Sequence, residues 1–256
     1  MLSDDGRARP GRALLLTLVI EHMLGRRLLA EFLGTAFLLV AVIGSGIAAQ
    51  RLSPQDVGLQ LLENAAATGA ALVAIILAFG AVSGAHLNPV VTLADRVFRG
   101  LSTRDAAGYV GVQFGGAICG TIVANVMFSR PAVEWATKAR DGGGLFLAEI
   151  VATFGLLVVI FGVVRSGRAG VAPFAVGAYI TGAYFFTSST SFANPAVAVA
   201  RMFSDTFAGI EPSSVPAFVL AQLVGGVVAV AAIRVLYPDV TTAAADVVVP
   251  HEEKPT

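Results

Sequence analysis

Six stretches of this chain are each apolar and long enough to cross about 30 Å of hydrocarbon as a helix. They run over Leu28–Gln50, Leu59–Val82, Arg104–Phe128, Leu145–Arg165, Gly170–Thr187 and Val215–Tyr237. No other feature constrains the fold as strongly. Backbone N–H and C=O groups in lipid must be paired internally, so such segments become helices and pack as a bundle. The composition agrees, with 56% hydrophobic and only 13% charged residues among 256. The fold class expected is an all-α membrane protein. The fifth stretch is the shortest and meets Pro173 near its start.

The basic residues orient the bundle. With both termini inside, twelve of the 17 Lys and Arg fall on the inner side, which the positive-inside tendency favours. The net charge of zero gives no footprint for nucleic acid. His22, His86 and His251 are too scattered for a metal cluster, no cofactor fingerprint is present, and no enzyme constellation can be assembled. Cys119 lies in an apolar run and reads as a small core residue. Residues 1–27 read as an N-terminal extension. The run "RPGRALLLTLVIEHM" has the basic-then-apolar order of a signal peptide but lacks a small-residue cleavage site, so residues 1–22 are expected either to be an upstream extension without a role or to belong to the protein proper. Residues 28–237 form the membrane domain, and 238–256 a polar cytoplasmic tail.

The domain is a repeat, with halves at 28–128 and 145–237. "AEFLGT" from Ala30 matches "AEIVAT" from Ala148, "NPV" from Asn88 matches "NPA" from Asn194, and the "QFGG" beginning at Gln113 is echoed by "QLVGG" at Gln222. The offsets are 118, 106 and 109 residues, in register along the chain. Each half holds three spans, an odd number, so the second half enters the bilayer inverted. Each half also carries one further segment, "SGAHLNPVVTLADRVF" and "TSFANPAVAVARMF", too short to cross and too apolar for an ordinary loop.

Those segments begin on Asn-Pro. Asn is a preferred N-cap, and Pro suits the first helical turn, where its missing N–H would be unpaired anyway. Two half-helices entering from opposite faces would therefore meet N-terminus to N-terminus near the midplane, focusing positive potential there. Irregular backbone at that depth is tolerated only where it lines a cavity or is buried in protein.

With these motifs in place, the chain resembles the aquaporin and aquaglyceroporin family over Leu28 to Tyr237. The resemblance implies six transmembrane helices plus two re-entrant half-helices, a homotetramer with one pore per subunit, and passive conduction of small neutral solutes across the inner membrane. It places Asn88, Pro89, Val90, Asn194, Pro195 and Ala196 at the pore centre, with the asparagine amides donating to the permeant. Val90 stands where the family usually has alanine, and is expected to pack the helix while making the constriction slightly more apolar. Glu31 and Glu149 would hold the re-entrant loops through backbone N–H groups, although an ionisable residue in a span also suggests proton transfer. His86 resembles a loop-anchoring histidine.

At the outer filter the sequence departs from its relatives. The family's arginine after the second motif is Val197 here, and Ala198 replaces the aspartate of glycerol facilitators. Family alignment places Thr68, Tyr184 and Ser191 at the other three corners. Valine offers no charge and no donors, which predicts a wider, less polar opening. "TSFANPAV" together with "DTFAGI" resembles the bacterial branch associated with arsenic resistance, implying glycerol-like polyols, arsenite and related metalloid hydroxides, and water as permeants. Arg201 lies one turn further along the half-helix, about 6 Å outward. It is expected either in the outer vestibule, moving positive charge there, or as a solvated arginine at the helix end. A water-selective channel and an inverted-repeat secondary transporter are the competing functions. The latter would need coupling-ion ligands or a proton relay near the midplane.

Overall fold

A computed structural model describes residues 10–238, with side chains from Met23 onward. Among the described residues its regular elements are all helices: α1 (Pro10–Leu52), α2 (Val57–Ser83), α3 (Pro89–Val97), α4 (Thr103–Met127), α5 (Gly143–Arg165), α6 (Ala172–Phe186), α7 (Pro195–Ala200) and α8 (Val215–Leu236). Six helices are long and apolar enough to cross a membrane. Helix α1 runs across Leu28 without a break. The tail beyond Pro238 and the first nine residues lie outside the described residues.

The fifth span starts differently from the expectation. Its first residues, Ala169–Val171, form a 3-10 turn after Gly167 at φ 73°, and the α-helix begins at Ala172 with Pro173 in its first turn. Proline sets φ for a helix start and gives up a donor that has no partner there, so Pro173 opens this helix rather than interrupting it.

Small residues bring the helices together. A Cβ at Gly116 or Gly120 of α4 would strike the α1 carbonyls of Phe32 and Ala36, and one at Gly225 of α8 would lie 2.6 Å from the α5 carbonyl of Ile150. The "GGAICG" and "GGVVA" runs thus let backbones approach where lipid supplies little drive for helix association. Cys119, one residue before Gly120, is exposed on the outward side of α4, which corrects its reading as core. The small-residue stripe buries one face of the helix, and Cys119 is not on it.

Candidate functional site

The two short helices carry the centre of the molecule. At nine and six residues, α3 and α7 reach only about 13 and 9 Å, too short to span. Asn88 and Asn194 are extended N-caps at φ −154° and −158°. Asn88 Oδ1 accepts the Val90 N–H at 2.9 Å; Asn194 Oδ1 accepts those of Ala196 at 3.0 Å and Val197 at 3.3 Å. Capping turns each amide nitrogen toward the opposite loop. Asn88 Nδ2 donates to the Ala193 carbonyl and Asn194 Nδ2 to the Leu87 carbonyl, both at 2.7 Å. Each amide is thus tied across the repeat with one N–H and retains a second, and both asparagines line the cavity.

The loops leading to the caps are wound through left-handed backbone at Ala85 and Leu87, and again at Thr190, Ser191 and Ala193, with φ between 47° and 63°. Non-glycine residues pay roughly 1–2 kcal/mol each for this conformation, so something must hold them. Glu31 Oε1 accepts from Ser83 Oγ at 2.7 Å and His86 N–H at 2.9 Å; Oε2 accepts from Leu87 N–H and Gln113 Nε2, both at 2.8 Å. In the second half, Glu149 accepts from the N–H groups of Phe192 and Ala193 at 2.9 Å and from Gln222 Nε2 at 2.6 Å. Both carboxylates are fully buried. Gln113 and Gln222 have no role in the sequence reading beyond marking the repeat; their shared register was the available signal.

One continuous cavity of about 610 Å³ threads between these loops and the spans. An apolar wall of Leu72, Ile76, Leu156, Ile160, Val176 and Ile180 faces the asparagines, His86 and the loop backbone. His86 Nδ1 lies 3.0 Å from Thr92 Oγ1, while its buried Nε2 has no partner. Toward the α7 mouth the cavity is lined by Thr68, Tyr184, Ser191, Val197 and Arg201. Thr68 Oγ1 and Tyr184 OH are 3.2 Å apart, and Ser191 Oγ is buried without a partner. Pro89, Pro195 and Ala196 are buried behind the lining.

Two expectations need correction. Val90 packs, as expected, with Leu157 and Ala229, but it is not among the residues lining the cavity and so adds nothing apolar to the constriction. A Cβ at Gly226 would lie 2.6 Å from Val90 Cγ1, so glycine on α8 makes room for the extra methyl groups. Arg201 is not a solvated helix-end arginine either. It is 2% exposed, its Nε donates to the Ala208 carbonyl, and its guanidinium lies 3.5 Å from the centroid of the Phe192 ring. Sequence reasoning missed Arg140 entirely; 6% exposed, it donates to the carbonyls of Gly209 at 2.9 Å and Ser189 at 3.2 Å. Its partners lie 49 or more residues away, and nothing local signals them.

An inverted repeat whose capped half-helices meet inside a membrane-spanning bundle, beside a continuous cavity, defines a passive channel for small neutral solutes. The chain belongs to the major intrinsic protein family, whose profile matches residues 20–191 and so stops just short of Asn194. It is 49% identical over 214 residues to the aquaglyceroporin AqpS of Rhizobium meliloti (strain 1021), covering 84% of this chain and 91% of that one. Aquaporin NIP3-1 of Oryza sativa subsp. japonica is 34% identical over 164 residues, 62% of this chain and 51% of the plant protein. The X-ray structure of the aquaglyceroporin from Plasmodium falciparum shares the fold, with TM-score 0.65 at 23% identity, over 86% of this chain and 99% of that one. This is a multi-pass membrane channel and not an enzyme.

Proposed function

We propose that the channel conducts glycerol-like polyols, arsenite and related metalloid hydroxides, with water, through a filter formed by Thr68, Tyr184, Ser191 and Val197. The observation that carries this reading is Val197 on the cavity wall. It sits in the first turn of α7, its N–H toward the Asn194 cap, its side chain 5% exposed among the cavity-lining residues. An apolar side chain there contributes neither charge nor donors to the opening, which suits uncharged solutes larger than water. The name of the rhizobial relative, an aquaglyceroporin, supports the same solute class. The Asn-Pro centre excludes cations by the two facing helix N-termini, and Glu31, Glu149 and His86 keep the loops in place. The protein works as a homotetramer in the bacterial inner membrane with both termini cytoplasmic, an orientation supported by the excess of basic residues on that side.

The test is solute entry into proteoliposomes by stopped flow. Val197→Arg should suppress glycerol and arsenite entry while sparing water. Unchanged selectivity in that variant would remove Val197 from the filter.

A further inference from the structure

The α7 mouth carries more positive charge than conduction of neutral solutes requires. Arg201 and Arg140 both stack on the Phe192 ring, with guanidinium carbons 3.5 and 4.9 Å from its centroid. Lys138 stands nearby, donating to the Phe207 carbonyl at 3.1 Å. The three side chains donate to backbone carbonyls, Arg201 to Ala208, Arg140 to Gly209, Ser189 and Phe207, and Lys138 to Phe207, and Arg201 also hydrogen-bonds the Tyr184 side chain. Among the described residues none of the three has a carboxylate within ion-pair distance. Of the acids on the same side, Glu134 pairs with Arg130, Asp205 accepts from Thr137 and Glu149 holds its loop, while Glu211, whose N–H donates to the Lys138 carbonyl, forms no ion pair with the three.

Arg201 differs from the other two in lining the cavity. Its Nε donates to Ala208 and its side chain also hydrogen-bonds Tyr184, which uses two of the five N–H donors of the guanidinium and leaves others for an oxyanion. Ser191, 3% exposed and also on the cavity wall, has a buried hydroxyl without a partner. A guanidinium and an unsatisfied hydroxyl thus face one compartment. Placing an arginine near the end of a short helix also satisfies the helix dipole, but that role requires neither burial nor a position on the cavity wall.

We propose that the α7 mouth is a binding site for small oxyanions such as carboxylates, with Arg201 and Ser191 as the direct donors and Arg140 and Lys138 supplying field. The Val197 side chain cannot hold an acceptor, and Arg201 supplies that ability one turn further along α7, beside Tyr184. An oxyanion seated there occupies the route of the neutral solute and competes with it. The inference rests on the assignment of this mouth to the conduction path, and its test separates the two.

The probe is formate, which keeps its single charge throughout neutral and alkaline pH. Glycerol entry into proteoliposomes is measured with rising sodium formate against sodium chloride at equal ionic strength. Saturable inhibition by formate beyond that of chloride is expected, with the half-inhibitory concentration rising about tenfold in Arg201→Gln, as for loss of a charge-assisted pair. Arg201→Lys keeps the charge and should lie between. If formate inhibits no more than chloride, or inhibits Arg201→Gln as well as the unaltered protein, the oxyanion site is overturned. The wild-type arm decides even where a variant fails to reconstitute. The polyol filter has its own readout, since Val197→Arg changes solute selectivity without formate present.

Discussion

Replacing Glu31 with glutamine tests how the pore centre is held. The carboxylate accepts four hydrogen bonds at 2.7 to 2.9 Å, which is the full capacity of its two oxygens. Glutamine keeps one oxygen. Placed at the Oε2 position it still serves Leu87 N–H and Gln113 Nε2, and Ser83 Oγ can turn to accept from the new amide. The His86 N–H cannot, and is left facing another donor. A stranded buried N–H costs about 1–3 kcal/mol, and the two retained bonds each weaken by about 1 kcal/mol on losing the charge. Removing a buried charge gives part of this back, so a net loss of about 1–3 kcal/mol is expected. The functional effect should be larger, because His86 is joined directly to Leu87, whose carbonyl holds Asn194 Nδ2 at 2.7 Å. Thermal unfolding in detergent and glycerol flux per reconstituted channel measure the two parts. A Glu31→Gln protein with unchanged Tm and unchanged flux would refute the anchoring argument.

Further outcomes follow from the same geometry. Asn194→Asp should weaken cation exclusion and lower neutral-solute flux, because a negative charge opposes the facing helix N-termini; conductance and glycerol entry in the same vesicles check both. Gly226→Val should destabilise the fold by overpacking against Val90, by about 1–3 kcal/mol, with Val90→Ala restoring stability in the double variant, read by thermal unfolding. Lys138 is lowered to about 8, by partial burial first and then by the neighbouring Arg140 and Arg201. Raising pH through 8 should therefore remove one positive charge from the α7 mouth and weaken formate inhibition of glycerol entry, and Lys138→Gln should flatten that profile.

The six spans and the two Asn-Pro caps were legible because each rests on a local rule with few alternatives. A lipid-crossing segment needs a minimum length, and Asn followed by Pro has one favourable place in a helix. The positions of the two carboxylates were legible for a different reason, since the inversion presented Glu31 and Glu149 in register, while their anchoring role came from the family resemblance. What the sequence hid depends on closure in three dimensions. Val90 looked like a change to the pore because nothing near it in the chain reveals Gly226, which accommodates it from α8. Cys119 looked buried because it lies in an apolar run, yet it occupies another face of α4 than the glycines that pack on α1. Arg201 left two readings open, since burial at a helix end depends on the Phe192 ring and the Ala208 carbonyl, brought there by separate loops.

The passive character of the channel can be argued from where its ionisable groups lie. Coupled transport by an inverted repeat uses a protonatable carboxylate or a cation site that the solute pathway can reach. No aspartate or glutamate is among the residues lining the cavity. The two glutamates nearest the midplane are sealed behind the loops with their oxygens committed to backbone N–H and glutamine donors. A proton delivered to either would displace a donor that holds the pore centre, so protonation would disturb the conduit instead of powering it. The N-termini of α3 and α7 face each other at the pore centre, and their positive dipole ends oppose a cation there. Among the described residues a gradient of protons or sodium consequently finds no carboxylate on the cavity wall to act on. Solute in sealed vesicles should approach the external concentration and stop, and accumulation above it under an imposed gradient would contradict the arrangement.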